Sequence, residues 1–335
     1  MTSTVKINDL SQILAPIALD FKALDEVIRQ RLASKVALID QISSYIIQAG
    51  GKRVRPALLM LVAKALANGK AATPHTLEMS AVVEFIHTAT LLHDDVVDES
   101  TLRRGRETAN AAFGNAASVL VGDFLYSRAF QMMVGPNDLR IMQILSDATN
   151  TIAEGEVLQL LNMNDPEVDE ASYLQVIRYK TAKLFEASTE LGAILANATD
   201  AQREQAAAFG RHIGTAFQLM DDLLDYTANA EQMGKNAGDD LREGKPTLPL
   251  IYLLENGSSE ERLLVRAAIE QNQDLPDDVF AQILAGVQHS GALDYTQAVA
   301  KREADLALTC LKYFPANEAS AALQALCAYS LTRQT

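Results

Sequence analysis

The sequence predicts an all-α fold of ten or more helices, and three features of the chain support this class. Alanine, a strong helix former, is abundant along the chain. Alternating runs of β-branched residues bounded by turns, the pattern typical of strands, are scarce. Apolar residues near the N-terminus recur at three- and four-residue steps, which places them on one face of a helix. They are Leu10, Ile13, Leu14, Ile17, Phe21, Leu24 and Ile28.

Short polar segments rich in glycine and proline separate the predicted helices. The segment AGGKRVRP at 49–56 places two glycines before a basic stretch and ends in a proline suited to the first turn of a helix. Further turns are predicted at VGPND (134–138), NDPEVD (164–169) and ENGSSEE (255–261), and the longest irregular segment is GKNAGDDLREGKPTLP at 234–249.

None of these breaks has the length or composition of an interdomain linker. We therefore predict one domain over residues 1–335. A helix within residues 1–30 is expected to pack on the rest of the domain or at a dimer interface.

Charge and composition restrict the class of partner. The chain has 335 residues and a hydrophobic fraction of 48%, which is enough to bury a sizeable core. Its net charge is −14. An acidic protein is poorly suited to nucleic acid or to an anionic membrane, which attract a positive field. The start of the chain lacks the pattern of a signal peptide, and the apolar run at 57–67 is too short to span a membrane. Two cysteines, Cys310 and Cys327, are typical of a protein in a reducing cytoplasm.

Two groups of three aspartates share one spacing. They are Asp94, Asp95 and Asp98 in LLHDDVVDES, and Asp221, Asp222 and Asp225 in FQLMDDLLDYT. On an α-helix each residue advances about 100°, so the three carboxylates of each group fall within one arc of the helix. The same arithmetic puts His87 on the acidic face of the first helix and Gln218 on that of the second. Two helices could thus present opposing acidic faces across a cavity.

A solvated helix face is the alternative explanation for a single DDxxD cluster, but two clusters of equal spacing among Leu, Val and Met favour a cation site. Neighbouring like charges repel, and burying them costs several kcal/mol unless cations compensate. Carboxylate oxygens without nearby Cys ligands or His pairs suit Mg²⁺, which keeps several waters and usually bridges to phosphates. The pair of clusters therefore predicts a site for Mg²⁺ and a phosphorylated substrate.

Basic residues near the acidic clusters agree with a polyanionic substrate, since local cations would focus a field that attracts it. They are Lys52, Arg53, Arg55, Arg103, Arg104, Lys180, Lys183, Lys235 and Lys245. Lys64 and Lys183 are also consistent with ordinary surface lysines, and His87 with a core histidine. No Walker A loop, GxxxxGK[ST], is present.

Six blocks in this order give the chain its resemblance to a known family: GGKRVRP, FIHTATLLHDDVVDESTLRRG, GEVLQL, KTAKLF, FQLMDDLLD and GKNAGDDLREGKPTLP. Over nearly its whole length the chain resembles the trans-type isoprenyl diphosphate synthases. The segments EFIHTATLLHDDVVDES and ANAAFGNAASVLVGDF are especially similar to bacterial octaprenyl diphosphate synthases. The resemblance implies a bundle of helices around a central cavity, and a Mg²⁺-dependent prenyltransferase that extends an allylic diphosphate with isopentenyl diphosphate, for ubiquinone side chains.

The resemblance also implies roles for individual residues. Asp94, Asp98 and Asp221 would ligate Mg²⁺, three ions per site by the family's pattern, with Asp95, Asp222 and Asp225 binding metal-bound waters or supporting the ligands. The isopentenyl diphosphate would be held by Lys52, Arg55, His87 and Arg104. The allylic diphosphate would be held by Arg103, Lys180, Thr181, Gln218 and Lys235, with Lys245 completing a lid loop that Asp239 or Asp240 ties down. We expect the catalytic function to depend on Asp94, Asp98, Arg103, Lys180, Asp221 and Lys235.

Product length is the finer prediction. Ile86, Ala89 and Thr90 flank the acidic stripe on the side where a growing tail would descend. Short-chain members of the family carry bulky aromatics four or five residues before the first acid, whereas Thr90 and Ala89 stand there in this chain. The resemblance thus implies a long product, of eight isoprene units. As an alternative, Ala89 is simply a close helix contact. Candidates for the tunnel floor are Phe130, Met132 and Met133.

Two other functions share part of this sequence pattern. A class I terpene cyclase shares the DDxxD chemistry but normally carries a different second metal motif and does not need the GGKRVRP block. A catalytically silent partner subunit, or a Mg²⁺-binding scaffold, would be expected to have lost an acid or an arginine, and none is missing. Family members are typically homodimers. We expect a cytoplasmic homodimer without a transmembrane segment, with transient membrane contact for product release.

Overall fold

The computed structural model describes residues 9–48, 51–103, 105–227, 238–271 and 275–332, and within these ranges the chain is almost entirely helical. A single two-stranded antiparallel hairpin is present in them, in which β1 (Leu102–Arg103) pairs with β2 (Arg106–Glu107). The predicted all-α class is confirmed. In chain order the helices are α1 (Leu10–Ile13), α2 (Ala18–Leu32), α3 (Ala37–Gln48), α4 (Val54–Leu66), α5 (Pro74–Val97), α6 (Ala109–Phe113), α7 (Asn115–Met133), α8 (Leu139–Asn162), α9 (Glu170–Ile177), α10 (Lys183–Leu195), α11 (Asp200–Asp225), α12 (Asp239–Arg242), α13 (Leu248–Asn256), α14 (Ser259–Gln271), α15 (Asp277–His289), α16 (Ala292–Cys310) and α17 (Glu318–Thr332).

The N-terminal segment is not one continuous helix. A 3₁₀ turn at Ala15–Ile17 separates α1 from α2, because Pro16 cannot donate the backbone hydrogen bond that a continuing helix needs. Ile17, Leu24 and Ile28 are fully or almost fully buried, and α2 packs mainly against α5. The apolar stripe predicted from the sequence therefore faces the body of the protein, although the predicted helix is interrupted.

Two long helices carry the acidic clusters, and both end at them. A capping box at Thr73 and Pro74 at the first helical position start α5, and a capping box formed by Thr199 and Gln202 starts α11. The helix α5 ends with Asp98 as its C-cap, and α11 ends at Asp225. Carboxylates at a helix C-terminus meet the negative end of the helix dipole. Both clusters therefore lie where local electrostatics favours a bound cation.

Helix packing brings these two ends around one cavity. The helix α5 packs most extensively against α7, and α11 packs against α10 and α16. Between α9 and α10 the chain forms a π-helical turn at Arg178–Ala182, which contacts both α8 and α11. This turn carries Lys180 and Thr181, so the block KTAKLF begins on a widened helical turn rather than on a regular helix.

Candidate active site

A cavity of about 710 Å³ opens between the C-terminal ends of α5 and α11. It brings together residues that are far apart in sequence but that the motifs predicted to share a site. Those predicted residues that line it are Lys52, Arg55, His87, Thr90, Asp94, Asp98, Arg103, Lys180, Thr181, Gln218, Asp221, Asp222, Asp225 and Lys245. Arg104 and Lys235 lie outside the described residues.

Two carboxylates of the first cluster face cations supplied by other segments of the chain. The Lys180 Nζ lies 3.6 Å from the Asp94 Oδ2, and the Lys245 Nζ donates to the Asp98 Oδ2 at 3.1 Å. One lysine comes from the π-turn, and the other follows α12. Each end of the motif therefore already has one lysine as a neighbour.

The middle carboxylate of the motif is used differently. Asp95 is buried, and its Oδ1 accepts a hydrogen bond from Arg103 Nε at 2.8 Å and lies 2.7 Å from the Arg103 Nη2 in an ion pair. The hairpin formed by β1 and β2 holds Arg103 in this position. Asp95 therefore orients Arg103 at the edge of the cavity, and it is absent from the cavity lining.

The electrostatic state of Asp94 favours a cation ligand. Burial raises the pKa of Asp94 above its ordinary value, and the neighbouring Asp98 adds to this effect, while Lys180 opposes it. A raised pKa means that the carboxylate is less stable in the folded protein than in water. An additional positive charge at the cavity would relieve that cost.

Glu156, in the block GEVLQL, is a site residue that the sequence reasoning missed. It lines the cavity, and its Oε2 accepts a hydrogen bond from the Lys180 Nζ at 2.6 Å. Burial alone would lower the pKa of Lys180, but the carboxylates of Asp94 and Glu156 outweigh it and raise that pKa. Glu156 thus keeps this lysine charged and orients it. The sequence signal that could have identified it is its position directly after Gly155, in the block GEVLQL that carries the family resemblance.

We predict that Glu156 makes the stability of the ligand-free protein depend on pH. Burial raises the pKa of Glu156 to about 7 from its ordinary 4.5, with Lys180 opposing the shift. Between these values the folded state binds more protons than the unfolded state, so stability is lost as the pH rises from 4.5 through 7. Urea unfolding with a metal chelator present should show this loss in the wild type and a smaller one in Glu156→Gln. Parallel pH profiles for the two proteins would contradict the prediction.

The second acidic cluster contains a carboxylate that protein groups already satisfy. Asp222 is buried, and it accepts hydrogen bonds from the Tyr173 hydroxyl at 2.5 Å and from Gln218 Nε2 at 2.8 Å. Gln218 in turn accepts a hydrogen bond from the Thr181 hydroxyl at 2.9 Å. Burial raises the pKa of Asp222 to about 8, and the nearby Asp240 adds to the shift. Asp222 therefore ties the second cluster to the π-turn, and Tyr173 is a further residue that the sequence reasoning missed.

The segment after the second cluster folds back onto it. The Asp240 backbone N–H donates to the Asp225 Oδ2 at 3.2 Å, and the Gly238 N–H donates to the Asp225 carbonyl at 2.8 Å. Of the two aspartates considered for this role, Asp240 lines the cavity, whereas the side chain of Asp239 lies outside the described set. Asp225 thus acts as an anchor for the segment that carries Lys245.

The residues predicted to hold the second diphosphate belong to the lining of the same cavity. Lys52, Arg55 and His87 all line it. The Arg55 guanidinium lies over the Phe185 ring, 4.6 Å from its centroid. The Lys52 ammonium lies 5.9 Å from the centroid of Tyr329, on α17. Aromatic faces are favourable neighbours for these cations, so the ring contacts help to keep both side chains in place.

Two glycines allow the π-turn to approach its neighbours. A Cβ atom added at Gly155 would lie 2.6 Å from the Lys180 backbone N and 2.8 Å from the Tyr179 Cβ. A Cβ added at Gly214 would lie 2.8 Å from the Ala182 Cα. Since backbone cannot move aside as a flexible side chain can, both positions require glycine. The π-turn is thus held between α8 and α11 at close range.

We therefore expect Gly155→Ala to destabilise the protein by about 1–3 kcal/mol through overpacking, although alanine is the better helix former. The displaced π-turn should also weaken binding of a phosphorylated ligand in the cavity that Lys180 lines. Denaturant unfolding measures the first effect. The control is Gly286→Ala on α15, where the added Cβ would meet only side-chain atoms, at 3.2 Å or more. Equal stability changes in the two variants would contradict the prediction.

The structure separates the three residues assigned to product length. Thr90 lines the cavity, and its hydroxyl donates to the His87 carbonyl at 2.7 Å. Ile86 and Ala89 are fully buried in the hydrophobic core and do not belong to the cavity lining. Helical periodicity predicts the direction in which each of these side chains leaves the axis of α5. It does not predict how closely the neighbouring helices pack there.

The three residues predicted as candidates for the tunnel floor lie outside the cavity lining. Phe130 is 42% exposed, whereas Met132 and Met133 are buried. None of the three lines the cavity.

Two lysines considered as surface residues lie outside the cavity lining. The Lys64 Nζ donates to the Pro16 carbonyl at 2.6 Å and lies 3.4 Å from the Asp20 Oδ2, so it fixes the N-terminal segment on α4. Lys183 pairs with Glu186 at 2.9 Å.

Both cysteines, Cys310 and Cys327, are free and buried. Among the described helices, none combines the length and apolar character needed to cross a membrane.

The donor set of the cavity fits Mg²⁺ bound together with a phosphorylated ligand. Asp94, Asp98 and Asp221 offer carboxylate oxygens to one cavity, and its lining contains no cysteine. Among the described residues, no three acidic, histidine or cysteine side chains converge to form a metal cage alone. Mg²⁺ is usually held by one or two carboxylates plus waters and substrate phosphates. The arrangement therefore suits ions that enter with a diphosphate.

Comparison with known proteins agrees with this site. The family model described as Polyprenyl synthetase matches residues 36–286. The chain is 49% identical over 310 residues to octaprenyl diphosphate synthase of Escherichia coli, covering 92% of this chain and 93% of that protein. It is 47% identical over 321 residues to an all-trans-nonaprenyl-diphosphate synthase (geranyl-diphosphate specific) of Rhodobacter capsulatus, covering 96% of this chain and 97% of the relative.

A solved structure shows the same architecture. It is the crystal structure of a polyprenyl synthase from Caulobacter crescentus complexed with calcium and isoprenyl diphosphate. The two structures align with a TM-score of 0.93 at 42% sequence identity, covering 99% of this chain and 100% of the other. The bundle around a central cavity is therefore the isoprenyl synthase fold.

Proposed function

The chain belongs to the polyprenyl synthetase family and is a prenyltransferase, and from this premise we propose its reaction. It adds isopentenyl diphosphate units head to tail to an allylic diphosphate, preferably farnesyl diphosphate, and makes a long all-trans polyprenyl diphosphate. The observation that carries the proposal is the meeting of both aspartate clusters with Lys52, Arg55 and Lys180 in one cavity. An ordinary solvated acidic face would not bring these cations to the same place.

We propose octaprenyl diphosphate as the product, used for quinone side chains. The support is the 49% identity to an octaprenyl diphosphate synthase over nearly the full chain. The relative from Rhodobacter capsulatus, at 47% identity, is named for a nonaprenyl product. Overall similarity therefore separates long-chain products poorly, and the number of units has to be measured.

Enzymes of this family use Mg²⁺, and the oxygen donors described above suit it. We propose three ions per site, with Asp94, Asp98 and Asp221 as protein ligands. When bound, Mg²⁺ stabilises the negative charge that develops on the departing diphosphate. Asp95, Asp222 and Asp225 are proposed to support these ligands, since Arg103, Tyr173 and the backbone of Asp240 already occupy oxygens of their carboxylates.

The chain's own residues then bind and orient two substrates. Lys180, Thr181 and Gln218 lie together on the π-turn and α11, where they are proposed to hold the allylic diphosphate with Arg103, Lys235 and Lys245. Lys52, Arg55 and His87, with Arg104, are proposed to hold isopentenyl diphosphate. Fixing the double bond beside the allylic carbon makes the coupling effectively unimolecular.

Two consequences follow for the reactive centre. We propose that apolar residues of the cavity lining, among them Leu91, Val176 and Phe217, exclude water, which would otherwise quench the carbocation formed when the allylic C–O bond breaks. The proton lost after coupling is proposed to go to the released diphosphate rather than to a side chain.

We further propose a homodimer in the cytoplasm that contacts the membrane transiently to release its product. Support for a second copy comes from large apolar side chains exposed on α7 and at the start of α8, among them Leu120, Phe130 and Leu139. Two free buried thiols suit a reducing compartment. Light scattering would test the dimer.

The activity is tested by incubating the protein with farnesyl diphosphate, labelled isopentenyl diphosphate and Mg²⁺. The expected result is an extractable polyprenyl diphosphate of eight isoprene units, with none formed when a chelator replaces Mg²⁺. A hydrocarbon released from the allylic substrate alone would indicate a terpene cyclase. Complete absence of product would favour a silent partner subunit.

A further inference from the structure

Glu303 on α16 is a buried carboxylate outside the cavity lining, and it joins three parts of the fold. Its exposed fraction is 6%. One oxygen, Oε1, accepts a hydrogen bond from the Arg178 Nη2 at 3.1 Å. The other, Oε2, lies 2.6 Å from the His212 Nδ1. Both oxygens of the carboxylate are thus engaged, each by a different segment of the chain.

The two partners belong to the two segments that form the proposed allylic diphosphate site. Arg178 is the first residue of the π-turn Arg178–Ala182, and Lys180 and Thr181 follow it within that turn. His212 lies on α11, six residues before Gln218 (218 − 212) and nine before Asp221 (221 − 212). A single side chain of α16 therefore ties down both segments from outside the cavity.

The π-turn needs such an external restraint more than a regular helical turn does. Each of its hydrogen bonds spans one more residue than in an α-helix, and this geometry is rare in proteins. Gly155 and Gly214 let it approach α8 and α11, but a glycine supplies no side chain that could hold it. Lys180 and Thr181 make their contacts on the side of the π-turn that faces the cavity. The ion pair of Arg178 with Glu303 anchors the first residue of the π-turn from outside the cavity.

The charge of Glu303 is stabilised in this position. Burial alone would raise the pKa of Glu303, but the contacts with His212 and Arg178 outweigh burial and hold the pKa below its ordinary value. The Glu303 carboxylate is itself buried, so leaving it without its charged partners is unfavourable. The cluster is therefore a rigid junction of α16, α11 and the π-turn.

We propose that Glu303 is a positioning residue for the allylic diphosphate, acting through Arg178 on Lys180 and Thr181 and through His212 on the helix that carries Gln218 and Asp221. It touches neither substrate. The proposal rests on the function given above, because it assumes that these residues bind the allylic diphosphate. It adds a determinant on a helix that contributes no residue to the cavity lining.

The test compares Glu303→Gln and Arg178→Met with a matched control, Asp305→Asn. Asp305 lies on the same helix, is exposed and pairs only locally with Lys301. Each Glu303 or Arg178 variant should raise the KM for farnesyl diphosphate about five-fold, as expected for the loss of one coupled contact, and leave the KM for isopentenyl diphosphate within about two-fold. The control should match the wild type in both values.

A binding measurement makes the test independent of turnover. Calorimetry with unreactive farnesyl thiodiphosphate and Mg²⁺ should show that each single variant binds this analogue about five-fold more weakly than the wild type does. The double variant should bind no more weakly than Glu303→Gln alone, because that change already removes the charged partner of Arg178. Arg178 has a half-exposed side chain, so Arg178→Met remains informative if Glu303→Gln folds poorly.

The outcomes separate this proposal from the proposed function. A wild type that makes polyprenyl product, with variants that keep its farnesyl diphosphate KM and thiodiphosphate affinity, would overturn the positioning role alone. Equal rises in both substrate KM values would also overturn it, since they indicate a general loss of structure. A wild type without polyprenyl product would overturn the proposed function.

Discussion

Replacing Asp94 by Asn is expected to lower kcat by about a thousand-fold, the loss typical of removing one preorganised group that stabilises transition-state charge. Asp94 lies at the C-terminal end of α5, lines the cavity and faces Lys180. The amide keeps the shape of the side chain but offers a cation much less charge. The rate of polyprenyl diphosphate formation at saturating substrates measures the effect.

The same substitution should leave the fold at least as stable at neutral pH. Because burial raises the pKa of Asp94, its charged form is disfavoured in the folded state, and this cost is present above the ordinary pKa of the carboxyl. Lys180 retains Glu156 as a partner in the variant. The control is Asp123→Asn, which should keep full activity. Asp123 is exposed, and its Oδ1 lies 3.4 Å from the His93 Nε2. Wild-type activity in Asp94→Asn, or a loss matched by unfolding, would contradict the assignment.

Those parts of the site that depend on one helix were predictable from the sequence. The spacing of Asp94 and Asp98, and of Gln218 and Asp221, fixes their common direction because helical geometry is local. Their meeting in one cavity was a hypothesis from charge and from the resemblance, and the structure confirms that the four residues line the same space. The all-α class was predictable for the same reason, since periodicity and alanine content act within each helix.

Features that depend on distant segments were not predictable in this way. Glu156 acquires its raised pKa because the surrounding helices bury it, an effect that Lys180 opposes. Tyr173 reaches Asp222 across 49 positions of sequence, and Glu303 reaches His212 across 91. No local pattern marks such pairs, since each residue alone is compatible with an ordinary helix surface. Pro16 interrupts the first helix, but the apolar stripe continues across it, so periodicity alone does not reveal the interruption.

The predicted wall for the product tail shows the same limit. Ala89 and Thr90 are adjacent on α5, and the sequence placed both beside the growing chain. Only Thr90 lines the cavity, whereas Ala89 is fully enclosed by core residues. Small side chains such as alanine occur both in tunnels and at close helix contacts. The packing of neighbouring helices decides between these environments, and it lies outside the reach of one helix's periodicity.

Replacing Thr90 by Phe is therefore expected to shorten the product by several isoprene units. The new ring would lie in the cavity one helical turn before Asp94, close to the carbon where each unit is added. The tail could then no longer pass, so elongation would stop early although the residues proposed to bind the diphosphates are unchanged. Thr90 is only half-buried, and the hydrogen bond it loses is to the His87 carbonyl of its own helix. Mass analysis of the extracted product measures chain length.

Ala89→Phe provides the matched comparison, because it adds a larger side chain one residue away at a fully buried position. Overpacking there should cost about 1–3 kcal/mol of stability and lower the melting temperature, whereas Thr90→Phe should unfold near the wild-type temperature. If Ala89→Phe shortened the product without loss of stability while Thr90→Phe left it at full length, the tail would run on the Ala89 side of α5. The core packing around Ala89 would then have to open when the product grows. The pair of variants thus decides which side of α5 limits the chain.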